Sequence, residues 1–170
     1  MSTILLERER YTVLEPLAAS VTASRRSLRS PPASWKRELA DAQQAEMFRT
    51  YGRTGGLASG DEVTLLLRKR TSQPISLLAR WIATQRVVSF TWKAQFVLPL
   101  FQFELSDMSV RAAVSAVLDE LAGVFDDGEL ATWFALPNAW LQGAAPVDLL
   151  DVERAAVLNA ARADRYVARG

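Results

Sequence analysis

Five carboxylates occur close together in the last third of the chain: Asp119, Glu120, Asp126, Asp127 and Glu129. Oxygen-rich clusters of this kind can bind calcium or magnesium. Their spacing lacks the alternating ligands of a calcium-binding loop, so we interpret them as helix caps and a solvated helix face. The sequence therefore predicts neither a metal ion nor a cofactor.

The chain contains no histidine and no cysteine among its 170 residues. These absences exclude a thiolate nucleophile, a Ser-His or Cys-His dyad, and a typical zinc site. A small enzyme that uses carboxylates is the remaining catalytic alternative, and we expect a protein that is not an enzyme. Because the sequence shows no disulfide framework, signal peptide or membrane-spanning run, a cytoplasmic location without membrane contact is expected.

Side chains suited to nucleic-acid binding occur in the middle of the chain: Arg68, Lys69, Arg70, Arg80, Gln85, Arg86 and Lys93. Arginine can form two hydrogen bonds with guanine, and glutamine with adenine. Residues 68–70 and Lys93 would contact phosphates, which supply affinity without sequence information. The alternative is an arginine-rich surface over a core that contains Trp81 and Trp92.

The elements that would position these side chains are two helices followed by two strands. Capping and apolar periodicity predict helices over 59–70 and 75–82 with a turn between them, and alternation predicts strands over 87–92 and 95–103. Pro99 would lie at an edge or a bulge. This order is found in winged helix-turn-helix modules, in which the second helix, with Arg80 and Gln85, would enter the major groove. A plain scaffold has the same order.

The most specific pattern is the run 130–150, which contains Trp133, Pro137-Asn138, Trp140, Gly143 and Pro146. It predicts a short amphipathic helix, a Pro-Asn turn, a second apolar turn, a glycine break and a helix that begins at the proline. Both tryptophans are expected in the core, because large aromatic side chains supply much of the burial in a small domain.

This run resembles the C-terminal toxin-binding domain of the Xre/MbcA/ParS class of bacterial antitoxins. The residues that match its motif in order are Ala131, Trp133 or Phe134, Pro137, Asn138, Leu141, Gly143, Pro146, Leu149 and Leu150. The resemblance covers 109–170. It departs from many members at 151–154, where they have Thr-x-x-Gly, and in the predicted hairpin, where they have a helical DNA-binding module.

The resemblance implies a helical bundle that dimerises and binds a toxin. The toxins of that family have a RES-type fold and destroy NAD, or they ADP-ribosylate proteins, and the antitoxin lies across the active-site cleft with its C-terminal region. We therefore expect a homodimer or a larger hetero-oligomer with a cognate toxin. The best candidates for contacts lie on the alanine-rich terminal helix: Arg162, Arg165, Tyr166 and Arg169.

Charge is distributed unevenly along the chain. Residues 1–105 carry 15 of the 20 Lys and Arg but 9 of the 19 Asp and Glu. A basic front and an acidic back predict different partners, with the acidic C-terminal domain facing a cationic cleft of the toxin. A polar surface that simply varies along the chain is the alternative.

The predicted fold class is mainly α with a small β-hairpin (α+β). Its predicted parts are a basic, partly disordered segment 1–55 with one helix near 34–51, a winged-helix-like unit 57–105 and a C-terminal helical bundle 106–170. The functional expectation is an antitoxin-like protein that neutralises a cognate toxin and also represses its own operon by binding operator DNA. The alternative is a DNA-binding transcriptional regulator whose C-terminal domain only mediates self-association.

Overall fold

Residues 33–170 are described by the computed structural model, and the part of the predicted disordered segment before residue 33 lies outside them. The described chain is mainly helical with short antiparallel strands, as predicted for the fold class. Its elements are α1 (Ala33–Arg53), β1 (Leu57–Ser59), α2 (Gly60–Leu67), α3 (Pro74–Ala83), β2 (Phe90–Trp92), β3 (Gln95–Pro99), β4 (Phe103–Glu104), β5 (Ser109–Val110), α4 (Ala112–Leu121), α5 (Asp127–Ala135), α6 (Pro146–Leu149) and α7 (Arg154–Arg169). No helix within 33–170 is long and apolar enough to cross a membrane.

The main sheet has three antiparallel strands in the order β1-β3-β2. Leu57 pairs with Pro99, and Phe90 pairs with Val97. The sequence did not reveal β1, because three residues are too few for a visible alternation and Ser59 already reads as a helix cap. That cap is real: the Ser59 N–H donates to the Glu62 carboxylate at 2.7 Å, and the Glu62 N–H donates to Ser59 Oγ at 3.3 Å.

The strand predicted over 95–103 is too long. The chain leaves the sheet after Pro99, forms a 3-10 turn over Leu100–Gln102 and continues as β4, which pairs with β5. The prediction that Pro99 lies at an edge or bulge is also wrong, because it is the last residue of the central strand. The next hydrogen bond of the ladder runs from the Leu100 N–H to Gly56 O at 2.9 Å, so no donor is needed from the proline.

Apolar residues at helical spacing begin at Met108, a pattern that predicts a helix from there, but α4 begins at Ala112. A local turn precedes it, in which Asp107 Oδ1 accepts from the N–H of Ser109 at 2.9 Å and from its hydroxyl at 2.7 Å. Met108 has a positive φ of 56° and is 2% exposed. Its side chain therefore has the burial that the periodicity predicted, but on a turn rather than a helix.

Two hydrophobic clusters fill the interior. The larger contains residues of α1, α4, α5 and α7, and the smaller contains residues of β1, α2 and α3. The predicted boundary at 105 does not separate them, since Phe90 and Phe101 pack in the same cluster as Phe134. Residues 33–170 accordingly form one compact unit.

Helix α1 is fixed to this core by Tyr51, which is fully buried. Its hydroxyl donates to Ala131 O in α5 at 2.5 Å, and its ring stacks on Phe101 with 5.7 Å between ring centroids. Burial raises the pKa of the Tyr51 hydroxyl, so this group stays a protonated donor.

Gln102 joins the two clusters. Its side chain is fully buried between Phe101, which packs in the larger cluster, and Phe103, which packs in the smaller one. Gln102 Oε1 accepts from the Val88 N–H at 2.6 Å, and Nε2 donates to Val88 O at 2.9 Å and to Pro99 O at 2.8 Å. The amide of Gln102 thus forms hydrogen bonds with the backbone of Val88 and Pro99 that a neighbouring strand would otherwise provide.

The variant Gln102→Leu is expected to lower the free energy of unfolding by about 2–4 kcal/mol, since each buried polar group left without a partner costs about 1–3 kcal/mol. Urea unfolding followed by circular dichroism measures the change. Gln95→Leu, at an exposed position of β3, is the matched control and is expected to remain within about 0.5 kcal/mol of wild type. Equal stability of the two variants would contradict the role of Gln102.

Candidate partner-binding surface

The run 130–150 has the local structure that its sequence predicts. Helix α5 is followed by a turn at Asn138, a 3-10 turn over Ala139–Leu141, a break at Gly143 and α6, which begins at Pro146. The N–H of Asn138 donates to Ala144 O at 3.0 Å, and the N–H of Gly143 donates to Asn138 O at 3.0 Å, so the loop closes on itself. Gly143 has a φ of 85°, a conformation in which glycine is favoured.

Asp164 on α7 gathers three donors from this run. Its carboxylate accepts from Trp133 Nε1 at 2.7 Å, from Asn138 Nδ2 at 2.8 Å and from Trp140 Nε1 at 2.7 Å. Asn138 Oδ1 also accepts the N–H of Trp140 at 2.8 Å. Hydrogen bonds to an ionised acceptor are stronger than neutral ones, so this cluster holds α7 against the turn.

Asp164 was not among the site residues predicted from the sequence, although two signals pointed to it. Indole N–H groups need an acceptor when they are removed from water, and two tryptophans lie in the run. Asp164 is also spaced three and four residues from Ala161 and Ala160, which are buried. A carboxylate on the inner face of an amphipathic helix requires a partner, and here the indoles provide it.

The prediction that both tryptophans lie in the core is wrong for Trp140. Trp133 is half-buried and packs edge-on against Phe134 with ring centroids 5.1 Å apart. Trp140 is 57% exposed, because its 3-10 turn lies on the surface and only its N–H is directed at Asp164. The exposed part of the ring belongs to the surface beside α7.

The four residues predicted to contact a toxin divide into two pairs. Arg162 Nε donates to Glu120 Oε1 at 2.8 Å, and Arg165 Nη1 lies 2.6 Å from Glu120 Oε2 on α4. Tyr166 is 81% exposed, and Arg169 is exposed in the last turn of α7. Among residues 33–170, neither of these two forms a side-chain hydrogen bond or ion pair.

Helix α7 presents one continuous outward face. Arg162, Tyr166 and Arg169 follow each other at intervals of four and three residues and therefore lie on one side of the helix. Val157, Ala160 and Ala161 are buried on its inner side. We call the outward set, Arg162, Tyr166 and Arg169, the α7 face.

The predicted nucleic-acid-binding residues are not brought together as one recognition helix. Gln85 lies beyond the end of α3 and not on it. Its Nε2 donates to Phe125 O at 3.1 Å and to Asp127 Oδ1 at 3.0 Å. The sequence prediction assigned Gln85 to the second helix, but its amide connects the end of α3 with the start of α5. The side chains that are exposed are Arg68, Lys69, Arg70, Arg80, Arg86 and Lys93.

Opposite charges of the two halves meet within the chain. Arg53 Nη2 lies 2.5 Å from Asp148 Oδ2, and Arg70 Nη1 lies 3.2 Å from Asp107 Oδ2. Arg111 pairs with Asp151, a contact within the second half. The uneven distribution of charge is therefore used in part for contacts between distant segments.

Four of the five carboxylates between residues 119 and 129 have structural roles, and one of these is Asp127, which accepts the hydrogen bond from Gln85. Asp126 and Glu129 form a capping box at the start of α5, with bonds of 2.8 Å in both directions. Glu120 joins α4 to α7, as described above. Within residues 33–170, no group of three or more His, Cys, Asp or Glu is arranged to hold a metal ion.

Comparisons of the chain with known proteins found no relative. A scan against protein-family models, a search of curated proteins and a search of solved structures each found no match. The likeness of 130–150 to the antitoxin motif therefore depends on the residues of that run alone.

Asp164→Asn is expected to lower the free energy of unfolding by about 1–3 kcal/mol, because an amide directs an NH2 group at donors and loses at least one hydrogen bond. The indole N–H resonances of Trp133 and Trp140 are expected to shift in proton–nitrogen correlation spectra. Asp119→Asn, at an exposed position of α4, is the control and should leave both resonances in place. Unchanged indole resonances in Asp164→Asn would contradict the hydrogen-bonded cluster.

Glu120→Gln is expected to remove up to about 1 kcal/mol of stability at neutral pH. The hydrogen bond from Arg162 lowers the pKa of Glu120 in the folded protein, and the charges of both arginines act in the same direction. A lowered pKa gives stability that is present above the unfolded-state pKa and is lost as pH falls through the folded-state pKa. Urea midpoints of wild type and variant should therefore converge on acidification; a gap that persists in acid would refute the ion pair.

Proposed function

We propose that this protein is an antitoxin-like protein that binds a cognate protein toxin through the α7 face. The observation that carries the proposal is the 81% exposure of Tyr166, between two arginines, on a helix whose inner side is fixed. Tyrosine and arginine are enriched at protein interfaces and at the positions that contribute most to affinity.

The α7 face is held in place from both sides. Asp164 binds the turn at Asn138 on one side, and Glu120 binds Arg162 and Arg165 on the other. A surface that is already ordered loses little conformational entropy when a partner binds. This favours α7 as a rigid docking element, with Arg162, Tyr166 and Arg169 on its outward face and Arg165 beside them.

The resemblance of 130–150 to the Xre/MbcA/ParS antitoxins names the class of partner. A toxin of RES-type fold that destroys NAD, or one that ADP-ribosylates proteins, would be bound across its active-site cleft. The charge of the α7 face changes the expected complementarity. Arg162 and Arg165 share the single carboxylate of Glu120, and Arg169 forms no ion pair within residues 33–170, so the exposed end of the helix is basic. The complementary surface on the toxin is therefore acidic rather than cationic.

Coexpression with the product of the neighbouring reading frame tests the proposal, and a frame that encodes no toxin of either kind would count against it. Wild type is expected to restore growth and the cellular NAD level, or to suppress ADP-ribosylation. The double variant Tyr166→Ala, Arg169→Ala is expected to lose at least about tenfold in affinity, or about 1.4 kcal/mol, in calorimetry with the purified toxin. Arg154→Ala, at the other end of α7, is the matched control. Binding by the double variant that equals wild type would rule out the α7 face.

A second candidate function is DNA binding by residues 57–105, as in a transcriptional regulator that represses its own operon. The observation that favours it is the layout: α2 and α3 precede the β2-β3 hairpin, and β1 completes a sheet with that hairpin, as in winged helix-turn-helix modules. Arg68, Lys69 and Lys93 would contact phosphates. It stands second because the exposed side of α3 around Ile75 is apolar, which suits base-edge recognition poorly.

A further inference from the structure

An open apolar groove lies between α3 and the β2-β3 hairpin, away from the α7 face. Its floor is the exposed side of α3, and its opposite wall contains Phe96 on β3. Ile75 is 72% exposed and Phe96 is 55% exposed. The groove has a volume of about 340 Å³. The residues that line it carry no charge, and they include Ile75, Ala79, Ile82, Ala83 and Phe96. We call it the α3 groove.

The ionisable side chains beside the α3 groove on its β3 side are acidic, and Arg80 is the exposed cation on α3 itself. Phe96 also lines two adjoining hollows, one of about 240 Å³ with Asp61 and one of about 430 Å³ with Asp126 and Asp127. Lys and Arg are absent from the described linings of both hollows. No ion pair within 33–170 includes any of these three carboxylates. Asp126 caps α5 and Asp127 accepts a hydrogen bond from Gln85, but neither contact supplies a positive charge, so this side of the groove stays negative.

The chemistry of the groove selects against nucleic acid. Phosphates would be repelled by Asp61, Asp126 and Asp127, and the aliphatic side chains of α3 offer no hydrogen bonds to base edges. A contiguous exposed apolar patch bordered by charge is instead typical of a protein-docking surface. Charge complementarity assigns it a basic partner.

The dimensions of the groove match two turns of a helix. The apolar side of α3 runs from Ile75 to Ala83, which is about 12 Å at 1.5 Å per residue. An amphipathic helix places aliphatic side chains at i, i+3 or i+4, and i+7 over the same length when it binds in a groove. We propose that the α3 groove binds one amphipathic helix of a partner protein, with its aliphatic side in the groove and Lys or Arg along its borders.

Fluorescence anisotropy of the full-length protein with two labelled synthetic helices tests this proposal. Both peptides have leucine at i, i+4, i+7 and i+11 and alanine elsewhere on that side; one has lysine at the bordering positions and the other glutamate. The lysine peptide is expected to bind at least about tenfold more tightly, and its affinity should fall with added salt. Equal affinity of the two peptides would overturn the charge assignment.

Two variants locate the binding site. Ile75→Glu and Phe96→Ala change exposed side chains and are expected to fold with wild-type urea midpoints while each weakens the lysine peptide at least about tenfold. Leu65→Glu, at a 58% exposed position of α2 outside the groove, is the matched control and should bind as wild type. Unchanged binding by Ile75→Glu would overturn the proposal.

Two further measurements distinguish a partner helix from two other occupants of the groove, nucleic acid and a second copy of this chain. If a labelled DNA duplex binds, is lost in Ile75→Glu and displaces the lysine peptide, the groove is a nucleic-acid site and the proposal fails. If sedimentation shows self-association of wild type that Ile75→Glu abolishes, the occupant is a second copy and the proposal fails as well. Toxin binding through the α7 face is expected to be the same in Ile75→Glu and wild type, so the two surfaces are tested independently.

Discussion

The surface of the C-terminal half depends on one requirement: the indole N–H groups of Trp133 and Trp140 must have an acceptor. Asp164 supplies it and also accepts the amide of Asn138, so one carboxylate connects α5, the turn and α7. Because the inner side of α7 is held in this way, its rotation about its own axis is fixed. The direction in which Tyr166 points then follows from the helical repeat.

The segment 99–103 has a comparable effect on the whole described chain. Phe101 and Phe103 enter different hydrophobic clusters, and Gln102 pairs with backbone groups that no strand reaches. The elements on the two sides of residue 105 therefore share one interior. Phe101 packs in the cluster that contains Ala161 of α7, and Phe103 packs in the cluster that contains Leu78 of α3, so this segment adjoins the helices of both surfaces from the inside.

Pairing within the chain decides which charges face solvent. Asp148 and Asp107 bind arginines from the first half of the chain, and on α7 two arginines share the single carboxylate of Glu120, which leaves a basic end on that helix. The α3 groove is bordered by carboxylates that form no ion pair within residues 33–170. The two surfaces thus differ in sign, and electrostatic complementarity favours different partners for them.

The sequence by itself determined the features that depend on neighbouring residues. Local hydrogen bonding and backbone preference determine the helix caps at Ser59 and Asp126, the break at Gly143 and the start of α6 at Pro146. Only the tertiary structure decided that Asp164 meets two indoles, that Gln102 replaces a strand partner and that Gln85 faces α5. These contacts join residues 14 to 42 positions apart, and periodicity carries no information on such pairs. Burial supplies the reason, because a polar group removed from water takes whichever partner the packing brings within reach.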